Sequence, residues 1–251
     1  MADADRDRSP IDAVVETMRQ RLAELPSRLE HQRVFLSTYL RTTQSVGDAV
    51  ARGDFEDPAW VELWDANFAD LYLLALDTEI ADGLVPRPWR LAFHADPNLP
   101  ALRHVLLGIN AHVNYDLPQA LLSVITDTEF TESSVIARRR RDHQRVDAVL
   151  SARVAAEGDE LAGPAGLSLL DRLLLPLNRL GSKRFLREAR TKVWHNTLAL
   201  HEARVRGKDA YDARLLELEV LSAARIVDLL SPGQVILKLA VAGFGVTLPP
   251  A

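Results

Sequence analysis

The stretch from Leu99 to Leu122, LPALRHVLLGINAHVNYDLPQALL, constrains this chain more than any other. It is apolar enough to be buried, yet it carries His104, His112, Asn110, Asn114, Tyr115 and Asp116. Buried polar groups cost free energy unless they are hydrogen-bonded or put to use. A fold for this chain must enclose the segment and also find partners for what it carries. At 100° per residue, His104, Gly108, His112, Tyr115, Asp116 and Gln119 fall on one arc of about 120°. Leu102, Leu106, Ile109, Val113 and Leu117 occupy the opposite arc.

His112 and Asp116 are four residues apart, so their side chains are neighbours. That spacing lets an imidazole and a carboxylate share a metal ion, or lets the carboxylate orient the imidazole. His104 lies two turns earlier, about 12 Å along the axis, and is suited to general acid–base work near neutral pH. Gly108 sits between them; a helical glycine costs about 1 kcal/mol relative to alanine, which points to close approach by a neighbouring helix or a ligand. Asn110 and Asn114 read as substrate-orienting groups or as amides bonded across a helix contact. Pro118 lacks an N–H and disfavours helical geometry at Leu117. The helix is therefore expected to stop near Asp116, with Asp116 capping the next one.

The helical period runs through the rest of the chain. Ser9-Pro10 starts a helix whose apolar positions are Ile11, Val14, Val15, Met18 and Leu22. Ser27 is placed to cap a second helix, over 28–51, and Asp57 a third, over 58–82. A stiff Pro86-Arg87-Pro88-Trp89 connector leads to a short helix. Thr126 to Ser134 reads as a polar loop, and Arg138 to Arg141 as a solvated basic patch. Asp142 reads as the N-cap of a further helix, on which His143 and Asp147 are again four apart. Gly158 to Gly166 is linker-like, and 167–180 is leucine-rich. Long helices are expected over 183–206 and 210–230, the second started by Asp209. Together these predict an all-α protein: a disordered leader over 1–9, one helical domain over 10–232 with roughly nine or ten helices, and an apolar tail over 233–251 laid on the domain or on a second subunit.

With 47% apolar residues among 251, the chain has ample material for a core. It has no cysteine, which removes disulfides, cysteine zinc sites and thiol nucleophiles. A net charge of −5 argues against nucleic-acid binding. No run approaches the length of a membrane span, and the polar start MADADRDRSP lacks a signal region, so the simplest compartment is the cytoplasm.

The string Leu106 to Pro118, LLGINAHVNYDLP, resembles a bacterial family, common in actinobacteria, catalogued as a domain of unknown function. Phe68-Ala69-Asp70-Leu71-Tyr72, Pro86-Arg87-Pro88-Trp89 and Asp142-His143 with Asp147 are similar to it as well. The resemblance implies one all-helical domain over most of the chain and brings no activity with it. His112-x-x-x-Asp116 is also similar to the metal-binding helices of zinc-dependent phospholipases C, although this chain has too few histidines for their three-metal cluster.

Three functions are in play. In the first, a metal-dependent hydrolase, His112 and Asp116 hold a zinc, iron or manganese ion together with Asp142, His143 or Asp147. A bound water is then activated, His104 moves the proton, and Asn110 and Asn114 orient the small-molecule substrate. In the second, a metal-free binding protein or enzyme, Tyr39, Trp64, Phe68, Tyr72, Trp89 and Trp194 line an apolar pocket. In the third, an interaction protein, the central polar residues are a buried network that sets helix register.

Overall fold

Two helix starts are set by the residues that the sequence marks for them, Ser9 and Asp57. In the computed structural model, which describes residues 9–160, 179–231, 243 and 245–250 (backbone alone for 147, 150–160 and 179–187), α1 spans Pro10–Ala23. Ser9 accepts from the Asp12 N–H, and Ile11, Val14, Val15 and Met18 are buried. A 3-10 turn, Ser27–Gln32, leads into α2, Arg33–Ala51. Ser27 thus opens a tight turn and makes no cap bond, a correction to its expected role. α3, Pro58–Ile80, starts as expected at Asp57, whose carboxylate accepts from Trp60 N. There follow α4, Arg87–Phe93; α5, Ala101–Ala111; a wide turn, His112–Asp116; and α6, Leu117–Val124. α7, Asp127–Thr131, α8, Ser133–Glu160, α9, Arg179–Arg206, and α10, Lys208–Leu230, complete the order. The all-α expectation is borne out, with no strand among the described residues. Residues 1–8 of the expected leader over 1–9, 161–166 of the linker, 167–178 of the leucine-rich stretch over 167–180, and 233–242, 244 and 251 of the tail over 233–251 lie outside the described residues.

The polar stretch after Thr126 is helical rather than a loop. Thr126 and Glu129 form a reciprocal capping box that starts α7, and α8 follows at Ser133. The four arginines are therefore on a helix, and they are not a free solvated patch. Arg139 is buried between Asp57 (2.5 Å) and Glu129 (2.6 Å), and Arg141 pairs with Glu56 at 2.8 Å. Asp142, nine residues inside α8, caps no helix of its own. Its two oxygens accept from Glu56 N and Asp57 N at 2.8 Å each, across the approach to α3. At the other end of the fold Gly207, at φ +123°, precedes α10; the left-handed backbone there favours glycine, and Asp209 lies in the first turn without capping it.

The helix does not stop at Asp116. It widens by one residue, so that Leu117 N–H reaches back five positions to His112 O, and continues into α6. A regular helix would set the Pro118 ring against the Asn114 carbonyl and leave that carbonyl without its donor. The wider turn accommodates the proline, and such turns concentrate at functional sites. It also means that Asp116 makes no cap bond and keeps its carboxylate for the core.

The α5–α6 rod crosses the middle of the protein, packed by α2, α4 and α10 along α5 and by α3 and α9 along α6. At its centre Phe35 of α2 lies directly on Gly108: a Cβ there would stand 2.4 Å from Phe35 Cδ2. The close approach inferred for this glycine is thus a ring of the neighbouring helix. Phe35 is held by Tyr39, Tyr72 and Trp89, so it has nowhere to go. Gly108→Ala should therefore lose more to overpacking, about 1–3 kcal/mol, than the roughly 1 kcal/mol it gains in helix propensity. We expect a lower thermal midpoint by circular dichroism, and an unchanged or higher midpoint would contradict this packing.

Candidate functional site

The wide turn brings His112 and Asp116 face to face in the core. His112 Nδ1 lies 2.8 Å from Asp116 Oδ2, and Trp89 Nε1 donates to the same oxygen at 2.8 Å. All three residues are buried. With its Nδ1 proton on the carboxylate, the neutral imidazole presents a lone pair at Nε2. That atom is buried and has no hydrogen-bond partner. Burial pushes the His112 imidazole down and the Asp116 carboxyl up, and their mutual hydrogen bond opposes both displacements.

A shell of rings surrounds the imidazole. Phe68 stacks on it, with ring centres 3.6 Å apart and planes at 5°, while Tyr39 meets it edge-on at 4.5 Å. Trp89, Tyr72 and Phe35 stand at 5.8, 6.0 and 6.3 Å. The Tyr72 hydroxyl is also buried without a partner, and the Tyr39 hydroxyl has Thr43 beside it. Tyr72 and Trp89 are fully enclosed, whereas Tyr39 and Phe68 retain 7% and 8% exposure.

The other residues singled out in the sequence go elsewhere. Asn110 and Asn114 form a ladder: Asn110 donates to Leu106 O at 3.0 Å, and Asn114 donates to Asn110 Oδ1 at 3.0 Å. Asn114 Oδ1 then accepts from Val246 N, and Asn196 of α9 exchanges hydrogen bonds with Val246 and Leu248. These amides fasten the last residues of the chain onto the bundle. His104 is buried two turns from His112, with Phe35 on Gly108 between them, and its ring lies 4.8 Å from that of His31. Burial, and then His31, push its imidazole down. Asp142 caps the approach to α3, and His143 is buried between Trp64 and Trp194. The Asp147 side chain lies outside the described residues. The structure thus brings His112 and Asp116 together and leaves His104, Asp142 and His143 apart from them. Among the described residues no three His, Asp or Glu side chains converge as a ligand set.

Sequence reading missed Asp65. It is buried on α3, and Oδ2 has no partner. Burial pushes its carboxyl up to about 7, against the pull of Arg190. It interacts with Tyr39, whose hydroxyl is raised first by burial and then by Asp65. The signal was present: Val61, Ala69, Tyr72 and Leu76, at helical spacing around Asp65, are all on the buried stripe.

The chain matches a family of unknown function (DUF5995) over residues 11–232. It belongs to that family. The match covers the whole helical region that carries the His112 site and bears out the resemblance read from the central string. No curated protein and no solved structure matches the chain.

Asp65 makes stability depend on pH with a definite sign. Its folded pKa, about 7, is above the ordinary carboxylate value, so the folded state holds its proton more tightly than the unfolded state. The resulting stabilisation is complete below the unfolded pKa and is lost as pH rises through about 7. Asp65→Asn, which cannot ionise, should therefore gain on the wild type between pH 4 and 7 and hold a constant lead above that. Urea midpoints measured across this range will check it; parallel curves would refute the assignment.

Proposed function

We propose that this protein is a metal-free acid–base site that admits a small neutral molecule beside His112 and exchanges a proton with it at Nε2. One observation carries the reading: a fully enclosed imidazole whose tautomer is set by Asp116 and whose second nitrogen has no partner. A buried acceptor left unpaired costs about 1–3 kcal/mol, which a purely structural network would avoid. The Asn110–Asn114 ladder shows the contrast, since its amides are spent on protein partners. An apolar surround of rings disfavours anions and suits compact apolar bodies, while the Nε2 lone pair and the Tyr39 and Tyr72 hydroxyls would select a hydroxyl or carbonyl group. Asp116 orients the base and stabilises the imidazolium formed when it takes a proton.

The donor set favours proton chemistry over metal chemistry. Asp116 Oδ2 already accepts from two N–H groups, and no third His, Asp or Glu side chain joins His112 and Asp116 among the described residues. A hydrolytic metal centre needs three protein ligands and an open position.

The test is a ligand-observed NMR screen of small phenols, alcohols and ketones, with the His112 ring nitrogens followed in parallel. Binders should move the Nε2 resonance of the wild type, bind at least about tenfold more weakly to Asp116→Asn, and fail to bind His112→Ala. Two outcomes would overturn the proposal. One is a folded wild type that binds none of the panel. The other is near-stoichiometric zinc, iron or manganese in untagged protein that disappears in His112→Ala, which would restore the metal-dependent reading.

A further inference from the structure

A second polar constellation lies away from His112, in a groove of about 460 Å³ between the 3-10 turn before α2 and the loop before α5. His104 lines it from α5 and His31 from the turn, with Glu30, Arg33 and Ser37 on the same wall. His104 is 2% exposed; one ring nitrogen leans on the Pro97 backbone and the other has no hydrogen-bond partner. His31 Nε2 stands 2.9 Å from the Phe93 carbonyl. A carbonyl only accepts, so Nε2 carries the proton and Nδ1 keeps a lone pair. Two imidazoles thus share one groove, each with one nitrogen not spent on a carbonyl.

Their spacing is one that two ligands on a single ion can adopt. A zinc-bound imidazole nitrogen lies about 2.0–2.1 Å from the metal, which puts its ring centre about 3.2 Å away. Two such rings at a tetrahedral angle have centres about 5 Å apart. The centres of His31 and His104 are 4.8 Å apart. The charges on the groove wall are paired with each other. Arg33 is held by Glu30 at 2.5 Å and by Leu22 O at 2.7 Å, so it is committed, and Asp96 acts on His104 from the adjoining loop. In a chain without cysteine, imidazole is the ligand best matched to zinc-type ions.

We propose that His31 and His104 form a two-histidine site for a divalent transition cation of the zinc type, with water in the remaining positions. No third imidazole or carboxylate completes the set among the described residues, so the ion is held more weakly than in a structural zinc site and exchanges with solvent. The site stands on its own residues and does not depend on the reading of His112.

Full-length protein, stripped with chelator, is titrated with zinc chloride by calorimetry near neutral pH, with magnesium as the control. About one zinc per chain should bind, and magnesium should not. His31→Ala and His104→Ala should each weaken zinc by at least about tenfold, while His112→Ala should leave it unchanged. Because His104 is buried, the same titration is followed on the wild type through its histidine ring resonances in NMR. Those of His31 and His104 should shift first and together. Absence of zinc binding, or binding that survives both variants or shifts other histidines first, would overturn the site. Zinc lost only in His112→Ala would count against the Proposed function as well, so the two failures are distinguishable.

Discussion

One oxygen of Asp116, gripped by the His112 and Trp89 N–H groups inside a cage of rings, is the interaction on which the centre of this protein depends. A lone carboxylate at such depth would be prohibitive, and two hydrogen bonds to it offset only part of the desolvation. The surrounding fold is arranged to make both available at once. α4 delivers Trp89, the helix of Asp116 itself delivers His112, and α2 and α3 close the sides with Phe35, Tyr39, Phe68 and Tyr72. The same enclosure leaves His112 Nε2 without a partner, with the Tyr72 hydroxyl likewise unpartnered nearby.

Two local irregularities make this geometry attainable. Pro118 cannot sit in a regular helix after Asn114, and the wide turn it brings keeps Asp116 opposite His112 instead of releasing it as a cap. Gly108 removes a Cβ so that Phe35 can lie on the helix, and the ring then divides the polar arc. His104 is left on one side with His31, and His112 on the other with Asp116. Two histidines on one face of one helix thereby acquire different environments and different chemistry.

Charge does its work at a distance from this centre. Asp142 and the arginines of α8 clamp the start of α3 through Glu56 and Asp57, and those bonds fix the helix that carries Asp65 and Phe68. Exposed ion pairs contribute little individually. Arg139 is different: it is buried, bonded to two carboxylates and stacked over Trp60 at 4.8 Å. The C-terminal segment is fastened by the opposite means, neutral amides of Asn114 and Asn196 bonding to its backbone.

The sequence by itself determined the all-helical class, the starts of α1 and α3 and the His112–Asp116 pair, because caps, apolar period and i,i+4 spacing are local quantities. It also marked the central segment as the place where polar groups must be explained. Only the tertiary structure decided how each was explained. Asp142 looked like a cap for its own helix and serves the approach to another, 86 residues away for Glu56 N. Asn110 and Asn114 could orient a substrate or bond to protein, and the choice turned on where Val246 came to rest. Asp65 is one acid among many in the sequence, and its unusual ionisation comes from the helices that desolvate it. Long-range pairing and burial are properties of packing, and no local period encodes which partner arrives.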